Sequence, residues 1–228
     1  MSEWTAVEGL RIAIDGPSGS GKGTIAVMIG EALGLVVMDT GLLYRFLGWR
    51  ANDLGINLDD ESAVVAAVDS AVEEMDWHAE GIFFENRDCT PLLRGEDVGA
   101  YASTVAAIPA IRKQLLELQR KIAASGCVMD GRDIGTVVLP DAEAKFFLTA
   151  SHRERARRRW AQLQQGDAKV TLDQIVDDLN ARDARDSGRD CSPLVRAKDA
   201  IEIDSTTMRI DEVVDRILAV LERRKLIS

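Results

Sequence analysis

Aromatic residues make up only 5% of these 228 residues, and the chain has just two histidines, three cysteines and seven lysines. Each scarcity narrows the function. His78 and His152 are far apart in sequence, and scattered histidines are usually structural, so neither is expected to act as a catalytic base. Cys89, Cys127 and Cys191 match no metal-ligand spacing; Cys191 is expected as a small core residue. No apolar run approaches the ~18–20 residues of a membrane span. Residues 1–9 carry neither a basic start nor an apolar stretch, so no signal peptide is expected. Repeats and low-complexity tracts are absent too. The expectation is a cytoplasmic enzyme or binding protein with no membrane partner.

Basic residues are missing from one segment in particular. Residues 56–100 hold twelve acids and only Arg87 and Arg94 as bases, so this stretch alone accounts for the net charge of −10. That marks it as a separate unit and argues against nucleic acid as a partner. The scarcity of lysine is offset by 21 arginines, the side chain suited to bidentate phosphate contacts. With 46% hydrophobic residues the chain can bury a proper core, and its length suits one α/β domain with an insertion.

Five mostly apolar segments read as buried parallel strands: 10–15, 35–39, 127–130, 144–149 and 200–204. Four end in aspartate, at Asp15, Asp39, Asp130 and Asp204. Ligands of such sheets bind at the carboxyl ends of the strands, although an acid there can also simply begin a turn. Ser62–Val72 and Ile111–Ala124 read as helices. Between them a hairpin of Met75–His78 and Ile82–Glu85 is expected around Glu80-Gly81, with a third short strand near Pro91–Arg94. Ser151-His152-Arg153-Glu154 and Thr171-Leu172-Asp173-Gln174 fit capping boxes that open two further helices. A last helix over about 210–224 carries an apolar stripe. The expected architecture is a three-layer α/β/α core with a five-stranded parallel sheet, residues 1–55 and 103–228, with a lid at about 152–172 and an inserted α+β lobe at 56–102.

Three signals carry chemistry. The run Gly16-Pro17-Ser18-Gly19-Ser20-Gly21-Lys22-Gly23-Thr24 lies between a strand and a helix, the setting of a phosphate-binding loop. Its glycines let backbone N–H groups converge on phosphates, the helix start adds positive potential, and Lys22 reaches the outer phosphates. Gly23 stands where a hydroxyl usually follows the lysine, and the hydroxyl comes one later, at Thr24. Second, Arg182, Arg185 and Arg189 share one helix face beside Asp183, Asp186 and Asp190. That is an arrangement for neutralising transferring phosphate as much as for surface ion pairs. Third, Val128-Met129-Asp130-Gly131-Arg132-Asp133 ends an apolar strand in an acid able to orient magnesium, directly or through water, with Arg132 and Asp133 on the following turn.

Five motifs then coincide: Ile14-Asp-Gly-Pro-Ser-Gly-Ser-Gly-Lys-Gly-Thr24, Asp39-Thr-Gly-Leu-Leu-Tyr-Arg45, Asp130-Gly-Arg-Asp-Ile-Gly-Thr-Val-Val138, Arg182-Asp-Ala-Arg-Asp186 and Ile203-Asp-Ser-Thr206. Together, over about residues 10–220, they resemble the bacterial cytidylate kinases, a family of P-loop nucleoside monophosphate kinases. The resemblance implies ATP-dependent phosphorylation of CMP and dCMP with Mg²⁺. ATP would lie on Gly16, Ser18, Gly19, Ser20, Gly21, Lys22, Gly23 and Thr24, with Thr24 and Asp130 toward the metal. It implies that Arg45, Arg132 and Arg189 clamp the acceptor phosphate and that Thr40 supplies a hydroxyl. Ser103, Arg112 and Asp133 would read cytosine, and Arg182 and Asp186 would hold the ribose. Lys22, Arg132, Arg189 and Arg158 are the expected catalytic cations, Arg158 standing for the Arg157–Arg159 run near the ATP phosphates. Ser205 and Thr206 are expected beside adenine. The 4-amino group of cytosine suits Asp133, whereas uracil would set a carbonyl against it. Closure of lobe and lid is expected to keep water from the transferring phosphoryl group. The alternatives are a kinase for another small acceptor such as UMP, or a nucleotide-binding switch. A monomer is the default.

Overall fold

The computed structural model describes residues 4–78, 81–164 and 171–228. In chain order it runs β1 (Arg11–Asp15), α1 (Lys22–Leu33), β2 (Val37–Asp39), α2 (Thr40–Asp53), α3 (Glu61–Glu74), β3 (Asp76–His78), β4 (Gly81–Phe84) and β5 (Arg87–Asp88). It continues with α4 (Glu96–Val105), α5 (Pro109–Ala123), β6 (Cys127–Gly131), β7 (Ala144–Thr149), α6 (His152–Gln164), α7 (Leu172–Ser187), β8 (Ile201–Asp204) and α8 (Ile210–Arg223). Two compact units result: Met1–Val37 with Ser125–Ser228, and Met38–Ala124. The second unit also takes in α2 and α5, which lie outside residues 56–102, and the last residues of α4.

The five expected strands form one sheet in the order β2-β6-β1-β7-β8. Parallel pairing joins β1 to both β6 and β7, and β7 to β8. Central β1 is buried on both faces at Ile12, Ala13 and Ile14, which is why its sequence is a continuous apolar run rather than an alternating one. Helices α1 and α8 pack their apolar stripes on this sheet, joining Ile25, Ile29 and Leu33 to Val213, Ile217 and Leu221 in one core. The chain leaves the carboxyl end of β1 toward β2 on one side, and that of adjacent β6 toward β7 on the other, and the point where the direction switches is the usual position of a ligand crevice.

The Met38–Ala124 unit has its own core. Phe46 of α2 packs against Phe84 of β4 with ring centroids 5.3 Å apart, and Val64, Val68, Ile82, Leu93, Val105 and Ile111 are buried around them. Helices α2 and α4 approach closely at Gly48, where a β-carbon would come within 2.8 Å of Tyr101. The hairpin pairs His78 with Gly81; its tip at Ala79 and Glu80 lies outside the described residues.

The third strand is not at Pro91–Arg94. It is β5, and Leu92–Arg94 forms a 3₁₀ turn. Pro91 fixes φ at −61° and lacks an N–H, which suits a helical turn better than a strand. Glu85 and Asn86 both take positive φ, 50° and 59°, and so make the tight turn between β4 and β5 without any glycine to signal it.

Both expected helix starts exist, but only Thr171 and Gln174 make the full reciprocal box. At the other, Glu154 N–H donates to Ser151 Oγ at 3.3 Å, whereas the Glu154 carboxylate turns to Arg157 and Arg158. Arginine is the stronger partner, so the second half of that box is lost. Of the expected lid, residues 165–170 lie outside the described residues.

Candidate functional site

The loop after β1 is built around three glycines with positive φ: Gly16 at 153°, Gly19 at 75° and Gly21 at 95°. A β-carbon on Gly16 would lie 2.0 Å from Leu148 O, and one on Gly19 would lie 3.2 Å from Arg155 Cβ. Only glycine fits the first of these positions. Gly21 also caps α1, and no side chain satisfies that helix start. A helix start without a side-chain cap, with its dipole, is a setting suited to an anion. Ser20 Oγ is buried with no hydrogen-bond partner among the described residues, a polar group of the kind a ligand satisfies. Lys22 is buried and donates to Pro17 O at 2.9 Å. Thr24 is exposed at the start of α1.

Beside this loop lies a cleft of about 730 Å³, lined by Gly21, Thr24, Met28, Arg158, Ser205 and Met208 among others. All three arginines of the Arg157–Arg159 run line it. Their roles differ. Arg158 donates to Ser20 O at 3.3 Å, to Ser205 Oγ at 3.0 Å and to Ser205 O at 2.6 Å, joining the loop to the turn after β8. Arg157 is well exposed and pairs with Glu154. Glu154 is held down to about 2 by its bond from Arg157 first and then by Arg158. Ser205 lines the cleft as expected. Thr206 is not among the lining residues; its hydroxyl is used locally, accepting from Ser151 N–H and donating to Asp204.

The strand-end aspartates divide by role. Asp39 caps α2 through Gly41 N–H, and Asp204 accepts from Thr206, so both serve as turn formers. Asp15 does more. Its two oxygens accept from Ile134 N–H at 2.8 Å and Gly135 N–H at 2.7 Å, tying the root of the loop to the segment after β6. Burial pushes its carboxyl up to about 6, against these donors and nearby Lys22, while Asp133 adds to the rise. Strand β6 continues one residue past Asp130, to Gly131. Residues 134–138 then form a π-type turn, closed by Val138 N–H on Asp133 O, a geometry frequent at functional sites. Asp130 and Asp133 are both buried there.

Helix α7 ends at Ser187, so Arg189 and Asp190 lie beyond the face expected for them, and Asp190 is exposed; Asp183 and Asp186, in contrast, are drawn into ion pairs. Asp186 pairs with Arg132 at 2.9 Å and with Arg189. Burial alone would raise the Asp186 carboxyl, but the Arg132 and Arg189 guanidiniums hold it below its ordinary value. Asp183 pairs with Arg155 at 2.6 Å. Arg182 is half-buried and adds to the positive field on Asp186, whereas Arg185 is exposed and donates to its own helix at Ala181 O. Arg132, Asp186 and Arg189 are thus brought together, and the charged pairs survive burial because each has a hydrogen-bonded partner.

Within the Met38–Ala124 unit, Thr40 is buried at the start of α2. Arg45 donates to Leu93 O at 2.8 Å and Gly95 O at 3.2 Å. Arg112 is buried on α5, donates to Ala106 O and lies 5.2 Å from the Tyr44 ring centre. Ser103 Oγ is buried without a hydrogen-bond partner among the described residues.

Residues without a local signal also shape the site. Arg155, one of five arginines in α6, is fully buried and reaches Ser18 O in the loop. Lys145, buried on β7, contacts Pro140 O and Asp199, and its stem lies against Gly135. Neither histidine enters the site: His78 stacks on Phe83 and His152 bonds Asn180. Cys191 is half-buried rather than a core residue, because it sits in the turn after α7. Burial pushes the Cys127 thiol up to about 12, which removes it as a nucleophile.

No described helix is long and apolar enough to cross a membrane. A solved structure from Eubacterium ventriosum, an uncharacterised protein, shares the fold with TM-score 0.53 at 14% identity, over 94% of this chain and 98% of that one. In sequence, the chain is 45% identical over 220 residues to the cytidylate kinase of Azotobacter vinelandii, covering 94% of this chain and 96% of that protein. It is also 45% identical over 212 residues to the cytidylate kinase of Desulfitobacterium hafniense, covering 92% and 91%. The family model for cytidylate kinase matches residues 12–223, and the chain belongs to that family.

Proposed function

We propose that this chain transfers the γ-phosphoryl group of ATP to CMP and dCMP, releasing ADP and CDP or dCDP. The carrying observation is that one unit holds both an uncapped phosphate loop and the Arg132–Asp186–Arg189 cluster at the carboxyl edge of one sheet. Two guanidiniums around a single carboxylate leave a net positive charge that suits a dianionic phosphate. Arg45 is assigned to the same phosphate, Thr40 to a hydroxyl contact, and Arg182 with Asp186 to the ribose. Ser103, Arg112 and Asp133 are the base contacts.

An oxygen of the acceptor phosphate attacks the γ-phosphorus, and the bond to the β,γ-bridging oxygen breaks. No protein nucleophile is needed, so the protein contributes position and charge. Lys22 and the loop N–H groups hold the β- and γ-phosphates, and Arg132, Arg189 and Arg158 offset the spreading negative charge. Among the described residues no group of three metal-ligating side chains exists. A threonine hydroxyl and one carboxylate, Thr24 and Asp130, nevertheless suit Mg²⁺, which takes few protein oxygens and fills its shell with phosphate oxygens and water. The ion would supply charge neutralisation on the β- and γ-phosphates. Residues 56–102 are assigned as the acceptor lobe and 152–172 as the lid. We place the protein in the cytoplasm as a monomer.

The test is ADP release from Mg-ATP with CMP, dCMP, UMP, AMP, GMP or no acceptor. Rates with CMP and dCMP alone are expected. Comparable UMP rates would keep the chemistry and break the base assignment, and acceptor-independent turnover would favour a switch. Asp133→Ala should lower CMP use selectively and narrow the gap to UMP. A site built to pair a substrate amine discriminates by about 10⁴, so unchanged selectivity in that variant refutes the role of Asp133.

A further inference from the structure

Resting on the phosphoryl-transfer reading above, we propose that Arg155 and Asp183 are a positioning pair that fixes the phosphate loop in register with helix α7. The Arg155 side chain is 2% exposed, yet it meets three separate segments. Nε donates to Ala150 O at 3.1 Å at the end of β7. One terminal nitrogen donates to Ser18 O at 2.9 Å in the phosphate loop. The other pairs with Asp183 of α7 at 2.6 Å. A planar fork can serve three acceptors at once, whereas a lysine ammonium on a flexible stem cannot reproduce the same angles.

Helix α7 is thereby pinned at two successive turns. Asp183 ties it, through Arg155, to the loop that carries Lys22, and Asp186 ties it to Arg132. The small apolar contact between α6 and α7, Ala156 with Ile175 and Leu179, lies on the same pair of helices. Leu172 and Val176 add to it among the described residues, and the polar contacts act beside this packing to set where α7 stands along the loop. An in-line transfer tolerates displacement of about 1 Å poorly, losing about 100-fold in rate. Arg155 and Asp183 touch neither substrate; they act through the groups they hold.

Two substitutions separate the halves of the pair. Asp183→Asn removes the charge while leaving the Arg155 bonds to Ser18 and Ala150 able to form. It is expected to lower kcat for CMP about 10- to 100-fold, with the affinity for a non-hydrolysable ATP analogue and the acceptor-free ATP hydrolysis rate each within about threefold of the parent. Arg155→Met is expected to weaken the analogue as well, and Arg155→Lys to restore folding but not kcat. A merely structural role would lower Tm and leave kcat per folded molecule, and its ratio to ATP hydrolysis, unchanged; that result overturns the proposal. An Asp183→Asn variant whose kcat falls only in step with its analogue affinity also overturns it. Failure of the parent protein to phosphorylate CMP would instead overturn the functional reading, and would appear in the parent before any variant is made.

Discussion

Lys22 shows how much a single residue can be asked to do at this site. It is buried and donates from its ammonium to Pro17 O. A buried cation is tolerable here because a carbonyl and the neighbouring Asp15 field support it. Replacing it by alanine removes one of two donors to Pro17 O, which still accepts from Ser20 N–H at 3.4 Å, a loss of about 1 kcal/mol that a protein of this size survives. The loss in transfer is far larger, because no other loop side chain carries charge to the outer phosphates. Lys22→Ala should therefore lower kcat by about 10³-fold while its circular dichroism spectrum stays that of the parent; turnover close to the parent's would end the phosphate-loop assignment. Gly16 tests the same loop through sterics. Its φ of 153° and the 2.0 Å approach of Leu148 O leave no room for a methyl group. Gly16→Ala should abolish binding of an ATP analogue in a direct titration, and retained affinity would show that the loop can open without cost.

At the scale of elements, α7 carries Asp186, the carboxylate that holds Arg132 and Arg189 together, and at its start sequence and structure agree atom by atom. Thr171 and Gln174 cap it reciprocally. Thr171→Ala should cost about 1 kcal/mol, a drop of roughly 2–4 °C in Tm for a chain of this length, with kcat at 25 °C unchanged. A large fall in kcat at unchanged Tm would mean that the cap positions the cluster rather than stabilising the helix. Elements of this kind were legible because their causes are local: apolar runs for the strands, glycine spacing for the loop, a hydroxyl and an amide three apart for the cap. What escaped has non-local causes. The Asp15 bonds to Ile134 and Gly135 span some 120 residues. Arg155 looks like any of its neighbours in an arginine-rich helix until Ser18 and Asp183 are seen around it. The turn before β5 uses Glu85 and Asn86 in left-handed conformations that glycine normally announces. The half-used capping box at Ser151 failed because Arg157 and Arg158 outbid a backbone N–H for Glu154. In each case a stronger or more distant partner decided, and only the folded chain brings that partner near.

The whole molecule carries a net charge of −10, with an isoelectric point near 4.8, so lowering the pH toward 5 relieves self-repulsion of the compact state. Asp15 acts in the same direction. Its carboxyl stands near 6 in the folded protein, above its ordinary 3.8, so between these values the folded chain binds a proton that the unfolded chain has released. Its contribution to stability is therefore greatest below its unfolded value and is lost as pH rises through about 6. Glu154, held near 2, and Asp186, also lowered, act oppositely. Their stabilisation is present above the ordinary carboxylate range and disappears as pH falls through their folded values. The urea midpoint of unfolding should consequently rise from pH 7.5 to about 5 and fall again below about 4. The Asp15→Asn variant isolates one proton of this behaviour, worth up to about 1.4 kcal/mol per pH unit where folded and unfolded chains differ. Its midpoint should climb less than the parent's between pH 7.5 and 5, whatever its absolute stability, because asparagine does not titrate. Parallel curves for the two proteins would place the Asp15 carboxyl at its ordinary value and remove burial as the force acting on it.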